Sequence, residues 1–382
     1  MKRDAVTLRL DGQEIRHFHG FHGSGGGGKG FNRGQARVGN LLAKPRCIGG
    51  FDVNPASVRN FQRMTGVAGT VLDAFSREQY TAFHGKAPPA GWREATPQDI
   101  QRAAGGERPH IVFLSSPCKG LSGLLSASKS QAAKYIALNE LTLRGVWLML
   151  EAWGDDPPEL MVLENVPGLL TRGRPLVDQI TALLRAYGYA VAESVHDCGE
   201  LGGLAQTRRR CLIVARHMGK VPAMLYEPPR RRLRAVGDVL QHLALPGDPA
   251  AGPMHRVPNL AWKTWVRLAF VQAGSDWRSL NRLAVQDGVL RDYLIVPCGQ
   301  EGSGCYGVRL WSEPTGTVQG RSGPSNGAFN SARGKAASIR ASSASCGVRS
   351  MKPAVLQALV RWRTRLRAAR NCATYLSGLF PE

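Results

Sequence analysis

The chain has 382 residues, 43% of them hydrophobic, which is enough for one large domain with an ample core and a smaller one beside it. Its formal net charge of +22 points to a polyanionic partner, although charge alone does not separate DNA from RNA. No apolar run reaches membrane-spanning length, and the first residues lack the apolar stretch of a secretory signal. The eight cysteines show no Cys-x-x-Cys spacing. A membrane span, a zinc site and a disulfide framework are therefore not expected, and a reducing, cytoplasmic setting is.

Residues 15–217 alternate strand-like and helix-like segments, which predicts an α/β fold with a doubly wound, mostly parallel sheet. A glycine-rich run at 21–31 comes first. Alone it is a weak signal, often only a flexible turn, but it precedes a strand-like segment at 47–52. Asp52 ends that segment and reads equally as a helix N-terminal residue before Pro55; Asp73 likewise reads as a cap. Residues 78–109 are polar and hold several prolines, which predicts a loop insertion or lid.

Ile111, Val112, Phe113 and Leu114 read as a short buried strand ended by Ser115, Ser116 and Pro117, with Cys118 on the turn and Gly120 allowing a tight bend behind it. Active-site groups commonly lie at the carboxyl end of such a strand, although a free cysteine is as often a core residue. A helix is expected at 138–153. Next comes a strand at 160–163, broken by Glu164 and Asn165 and closed by Pro167-Gly168. A carboxylate directly after a buried strand is costly unless paired or put to use. A further helix at 176–187 ends at Gly188. Gln206, Arg208 and Arg210 alternate just before an apolar run, so in an extended chain they share one face.

Taken in order, Ser-Pro-Cys at 116–118, Glu-Asn-Val at 164–166 and Gln-x-Arg-x-Arg at 206–210 resemble the DNA (cytosine-5)-methyltransferases, and more narrowly their phage-associated bacterial branch. The resemblance spans roughly residues 15–330. It implies S-adenosylmethionine as cofactor, double-stranded DNA as partner, a monomer, and a possible place in a restriction-modification system. It implies Cys118 as the nucleophile that adds to cytosine C6. Glu164 would hold N3 of the base, and Arg208 and Arg210 would contact the base and orient Glu164. In the cofactor pocket it implies Phe21, Gly23, Gly25 and Gly26 of the glycine loop. Asp52 would serve the ribose hydroxyls and Asp73 the adenine amino group, with Pro117 and Leu143 beside the cofactor. His19-Gly20-Phe21 replaces the usual Asp-Leu-Phe, and Ser116 stands where a first proline is usual.

The expected organisation is a catalytic and cofactor-binding domain at 1–217, a target-recognition region at 218–305, a family-like return segment at 306–333 and an atypical basic tail at 334–382. The middle region mixes Arg230 to Arg234 with Trp262, Trp265, Arg267 and Trp277, which suits phosphate contact and base stacking. After Glu313 only Glu382 carries a carboxylate side chain, and the family's closing Gly-Asn-x-Val-Pro segment is missing. Residues from about 331 are accordingly expected to be a frame-shifted or decayed tail, with a basic amphipathic helix at 353–370. Two alternatives stay open: the same chemistry on RNA, and a catalytically impaired DNA-binding relic.

Overall fold

The computed structural model describes residues 11–38, 41–117, 119–121, 132–223, 228–244, 248–252, 285–286, 289–290 and 310–316. Cys118, Trp262, Trp265, Arg267, Trp277 and the tail beyond 316 lie outside the described residues. The chain divides into two units, Met1–His196 with Arg209–Glu227, and Asp197–Arg208 with Pro228–Glu382. Residues 197–208, expected within the catalytic domain, thus group with the second unit.

The first unit is built on one eight-stranded sheet. Its strands are β1 (Asp11–Gly20), β2 (Ala36–Val38), β3 (Leu41–Asp52), β4 (Thr70–Val71), β5 (Ile111–Leu114), β6 (Leu160–Asn165), β7 (Tyr189–Asp197) and β8 (Arg209–His217). The order is β2-β3-β1-β5-β6-β8-β7, with β4 also paired to β3. The pairs β1–β3, β1–β5, β3–β4 and β5–β6 are parallel, whereas β2–β3 and β6–β8 are antiparallel. The fold is therefore α/β with a mostly parallel sheet.

The helices are α1 (Gly26–Asn32), α2 (Pro55–Thr65), α3 (Arg77–His84), α4 (Pro97–Ala103), α5 (Ala133–Ala152), α6 (Arg174–Ala186), α7 (Cys198–Gly202) and α8 (Val236–Leu240). Both faces of the sheet are covered, as the alternation along β1 shows. His19 points to Phe31 of α1 and Phe61 of α2, at ring distances of 5.4 and 6.2 Å. Phe18 points the other way, to Trp153 at the end of α5, 5.5 Å away. All three of His17, Phe18 and His19 are buried. No helix among the described residues is long and apolar enough to cross a membrane.

The segment expected as a loop or lid at 78–109 instead contains two short helices, α3 and α4. Ser76 and Gln79 form a capping box on α3, and Thr96 and Asp99 form one on α4. Pro97 sits in the first turn of α4, where its missing N–H costs nothing, so it starts a helix rather than breaking one. Arg144 of α5 fastens the segment: Nε donates to the Ala74 carbonyl at 2.9 Å and a terminal nitrogen reaches Glu94 at 2.7 Å.

The second unit joins three segments distant in sequence. Gln206 bridges Thr315 in parallel, with Thr207 N donating to the Thr315 carbonyl and Thr315 N to the Ala205 carbonyl, both at 2.9 Å. Arg231 N donates to the Glu200 carbonyl at 2.7 Å and Gly237 N to the Trp311 carbonyl at 2.9 Å. The described part of the return segment, 310–316, is thus zipped onto the Gln-x-Arg segment.

Candidate active site

Strand order changes direction at β1: β3 and β4 follow on one side of it, β5 and β6 on the other. In open α/β sheets the crevice beyond the carboxyl ends at such a switch point is where ligands bind. Gly20 to Gly23 leave β1 there and Ser115 to Pro117 leave β5, tied together by Ser115 N donating to the Gly20 carbonyl at 3.2 Å.

On the β5–β6 side, Glu164 stands at the end of β6, opposite Leu212 of β8. Two residues before Leu212, Arg210 shares its face, and this diagonal brings Arg210 Nε to 2.8 Å from Glu164 Oε1. The other carboxylate oxygen, Oε2, accepts from Ser115 Oγ at 2.8 Å. Both side chains of the ion pair are mostly buried, at 14% and 23% exposure, so solvent screens the pair little. Ser115 was not foreseen as a site residue; its partner lies 49 positions on, and a serine before Ser-Pro carries no signal of its own.

Ser116 is buried and shares a hydrogen bond of 2.6 Å with Thr142 of α5. Asn165 is buried as well: its Oδ1 accepts from Val166 N at 2.8 Å, which fixes the turn carrying Glu164. The carbonyl of Leu121, three residues past Cys118, accepts from Arg172 at 2.7 Å. Gly168 lies against the same carbonyl, closely enough that a Cβ there would collide with it.

Arg208 behaves differently from Arg210. β8 begins only at Arg209, so the single extended face expected for Gln206, Arg208 and Arg210 is not formed by a strand. Within the second unit, Arg208 N donates to Asp197 Oδ1 at 2.9 Å, its carbonyl accepts from Cys198 N, and Gln206 Nε2 donates to the Gly316 carbonyl at 3.2 Å.

On the β1–β3 side the chain turns sharply after Gly20. Phe21 has a φ of 55°, which is rare for a residue with a Cβ and marks strain held by its surroundings. Its ring packs on Phe51 at 5.0 Å and over Gly145 of α5, where a Cβ would lie 2.7 Å from the ring. Gly25 (φ 86°) precedes α1 and approaches the Phe61 backbone so closely that a Cβ would meet Cα of Phe61 at 2.8 Å. The run expected as a simple glycine loop therefore becomes helix from Gly26, its glycines used partly to let α1 lie against α2. Gly23 and Gly26 face open space instead.

Asp52 closes this loop, accepting from Gly23 N through Oδ2 and from Asn54 N through Oδ1, both at 2.9 Å. The cap of α2 is Asn54, not Asp52. Asp73 does not cap α3 either, since Ser76 does; it accepts from Phe75 N at 3.1 Å and Trp92 Nε1 at 3.3 Å. Pro117 and Leu143 are each partly buried, Leu143 on α5 against the core.

His22 stacks on Phe61, ring centroids 4.0 Å apart, and its Nδ1 contacts the Gly23 carbonyl at 2.7 Å. Beneath the loop, His17, His19 and Cys47 place one potential ligand atom each within 4.8 Å of one another. Burial pushes the His17 imidazole down to about 4 and that of His19 down to about 3, and it raises the Cys47 thiol to about 11.

The family model described as C-5 cytosine-specific DNA methylase matches residues 90–242. No curated protein matches the sequence. Among solved structures, the chain is similar to the Entamoeba histolytica methyltransferase EhMeth, at 13% identity over 69% of this chain and 68% of that one, with a TM-score of 0.46. It is similar to the S. pombe Dnmt2 methyltransferase at 14% identity over 62% of each chain, with a TM-score of 0.40. A DNA modification methyltransferase encoded within an E. coli prophage follows, at 15% identity, 60% of this chain and 55% of that one, with a TM-score of 0.40. The chain thus spans between about half and two thirds of the length of these structures.

Proposed function

We propose, from the match of residues 90–242 to the C-5 cytosine-specific DNA methylase model, that the chain transfers a methyl group from S-adenosylmethionine to C5 of cytosine in DNA. One arrangement supports this reading most. Glu164 is held on both carboxylate oxygens, by Ser115 and Arg210, beside the strand that runs into Pro117-Cys118.

Cytosine C5 is too poor a nucleophile to be methylated unaided. In the proposed step the Cys118 thiolate adds to C6, its electron pair forming the S–C6 bond and making C5 nucleophilic. After C5 has taken the methyl group, its proton leaves, the C5–C6 double bond re-forms and the thiolate is expelled. Positive charge from Lys119, Arg208 or Arg210 would favour the ionised thiol. Glu164 would hold N3 of the base, and the Ser115 and Arg210 donors keep its carboxylate aimed. Reaching a base inside a duplex requires flipping it out, at a cost of roughly a few kcal/mol.

The residues at the switch point fit the cofactor. Backbone at Gly23 and Gly26 faces open space, so a ligand can approach it without a Cβ intervening. Asp52 and Asp73 retain carboxylate lone pairs beyond their internal bonds, for the ribose hydroxyls and the adenine amino group respectively. Phe21, Pro117 and Leu143 supply apolar surface. Bound S-adenosylmethionine supplies the electrophilic methyl group.

The phage-associated branch, a restriction-modification role, a cytoplasmic setting and a monomeric state belong to the same proposal and rest on the sequence alone. Incubation with cofactor and duplex DNA carrying 5-fluorocytosine tests the mechanism, because the fluorine cannot leave as the proton does. A covalent adduct that needs both cofactor and Cys118 is expected. Methyl transfer undiminished in Cys118→Ser would overturn the reading, and transfer into tRNA but not duplex DNA would move it to RNA.

A further inference from the structure

We propose that His17, His19 and Cys47 form a zinc site inside the sheet, separate from the methyl-transfer machinery. His17 and His19 alternate along β1 and so face the same side, toward α1 and α2. Cys47 is the residue of β3 directly opposite His17 in the parallel register, just before a bulge that interrupts the pairing. Strand period and register together bring two imidazoles and one thiol to a single buried spot, with 0%, 1% and 1% exposure.

Nitrogen and sulfur donors in this mixture suit Zn²⁺, and the protein supplies three of its four tetrahedral positions, the count of a site that keeps one position for a water or other small ligand. The ligand atoms already lie within 4.8 Å of one another. Tetrahedral zinc with bonds of about 2.0 Å to nitrogen and about 2.3 Å to sulfur sets nitrogens about 3.3 Å apart and nitrogen from sulfur about 3.6 Å. The His17 Nδ1 to His19 Nε2 separation of 2.8 Å would open slightly, and the sulfur would move in by about 1 Å at most.

The hydrogen bonds around His17 favour its part in that exchange. Asn32 Oδ1 takes the Cys47 N–H at 3.0 Å and lies 3.0 Å from His17 Nε2. An amide oxygen only accepts, so His17 carries its proton on Nε2 and turns the Nδ1 lone pair inward. Ligating histidines are typically held in this way by a partner on the other nitrogen. The inward lone pair now accepts from His19 Nε2. On metal binding the His19 proton moves to Nδ1, Cys47 Sγ forms the metal bond with the electron pair of its S–H, and one proton is released per ion. The Cys47 thiol has only a weak contact to give up, to the Gly49 carbonyl at 3.7 Å.

The test is elemental analysis and zinc titration of the full-length protein, with proton release followed in weak buffer. About one zinc ion per chain is expected. Cys47→Ser should weaken binding by at least about tenfold, as loss of a ligand or its support commonly does, while Cys198→Ser leaves it unchanged. Zinc-edge absorption fine structure on the unsubstituted protein covers the case in which Cys47→Ser fails to fold. Two imidazole nitrogens and a single sulfur around the ion support the site. A folded protein that takes up no zinc, a Cys47→Ser variant that binds as the unsubstituted chain does, or a first shell without sulfur overturns it.

Discussion

Acidification should destabilise the metal-free protein through His17 and His19 well before its carboxylates protonate. An unfolded histidine takes up a proton near 6.5, whereas in the fold burial holds His17 down to about 4 and His19 to about 3. Between those values the unfolded chain binds the extra protons, so the stabilising contribution is complete above about pH 6.5 and is lost as pH falls toward 4 and below. Going from about pH 7 to about pH 5 removes about 2 kcal/mol for each ring, since one pKa unit is about 1.4 kcal/mol. Together, about 4 kcal/mol is a large share of the roughly 5–15 kcal/mol that holds a typical domain folded. Urea unfolding at the two pH values, with a chelator present, measures the loss. A His17→Leu/His19→Leu double variant should lose the share of the pH dependence that these two rings supply and keep the share from His22 and His110, whose pKa values burial also lowers, although it starts from a lower stability. NMR titration of the unsubstituted protein should find both rings neutral down to about pH 5. The reasoning fails if the double variant keeps the full acid slope, or if either ring is protonated in the folded chain at about pH 6.

Two further perturbations probe the candidate active site. Arg210→Gln removes a charge-assisted bond of about 1.5–3 kcal/mol and leaves the mostly buried Glu164 without its charge partner, so the melting temperature should fall, and methyl transfer by the folded variant should fall about 10- to 150-fold; Ser115→Ala should act in the same direction. An Arg210→Gln rate within about twofold of the unsubstituted chain would remove Arg210 as a positioning residue. Gly168→Ala drives a Cβ into the Leu121 carbonyl, which Arg172 also holds, and overpacking of this kind costs about 1–3 kcal/mol. The segment following Cys118 must yield, so activity should fall further than melting temperature alone explains, and Arg172→Ala should share part of the loss.

Much of the sheet was legible because buried parallel strands write themselves as short apolar runs closed by polar or turn residues. The breaks after Leu114 and Leu163 are where β5 ends and where Glu164 emerges. The helices α1, α3 and α4, opened or flanked by proline or opened by glycine, were not legible. Pro97 and the prolines around α3 and α4 looked like breakers, whereas a proline after a Thr96 cap begins a helix. Glycines at 26–28 looked like loop because helix propensity disfavours them, yet close packing against α2 leaves no room at Gly28 for a side chain. The roles of Asp52 and Asp73 were ambiguous for a different reason. A carboxylate near a helix start reads as a cap until the true caps, Asn54 and Ser76, are seen to do that work.

Spacing rules are silent where side chains are brought together across strands. Motifs such as Cys-x-x-Cys register ligands that one local segment delivers, whereas His17, His19 and Cys47 meet through the register of β1 on β3. That register also links the two clusters of the first unit. The strands that would share zinc are the same two whose carboxyl ends share the Gly23 N to Asp52 hydrogen bond. Between His19 and the turn at Phe21 lies only Gly20, and Phe21 already carries a strained φ of 55°. A rigid anchor directly before that turn limits how far the strain can relax by shifting β1. The physical consequence is that metal occupancy should alter the order of residues 20–25 more than that of the Glu164 side, whose strands are anchored by β5 and β8 instead.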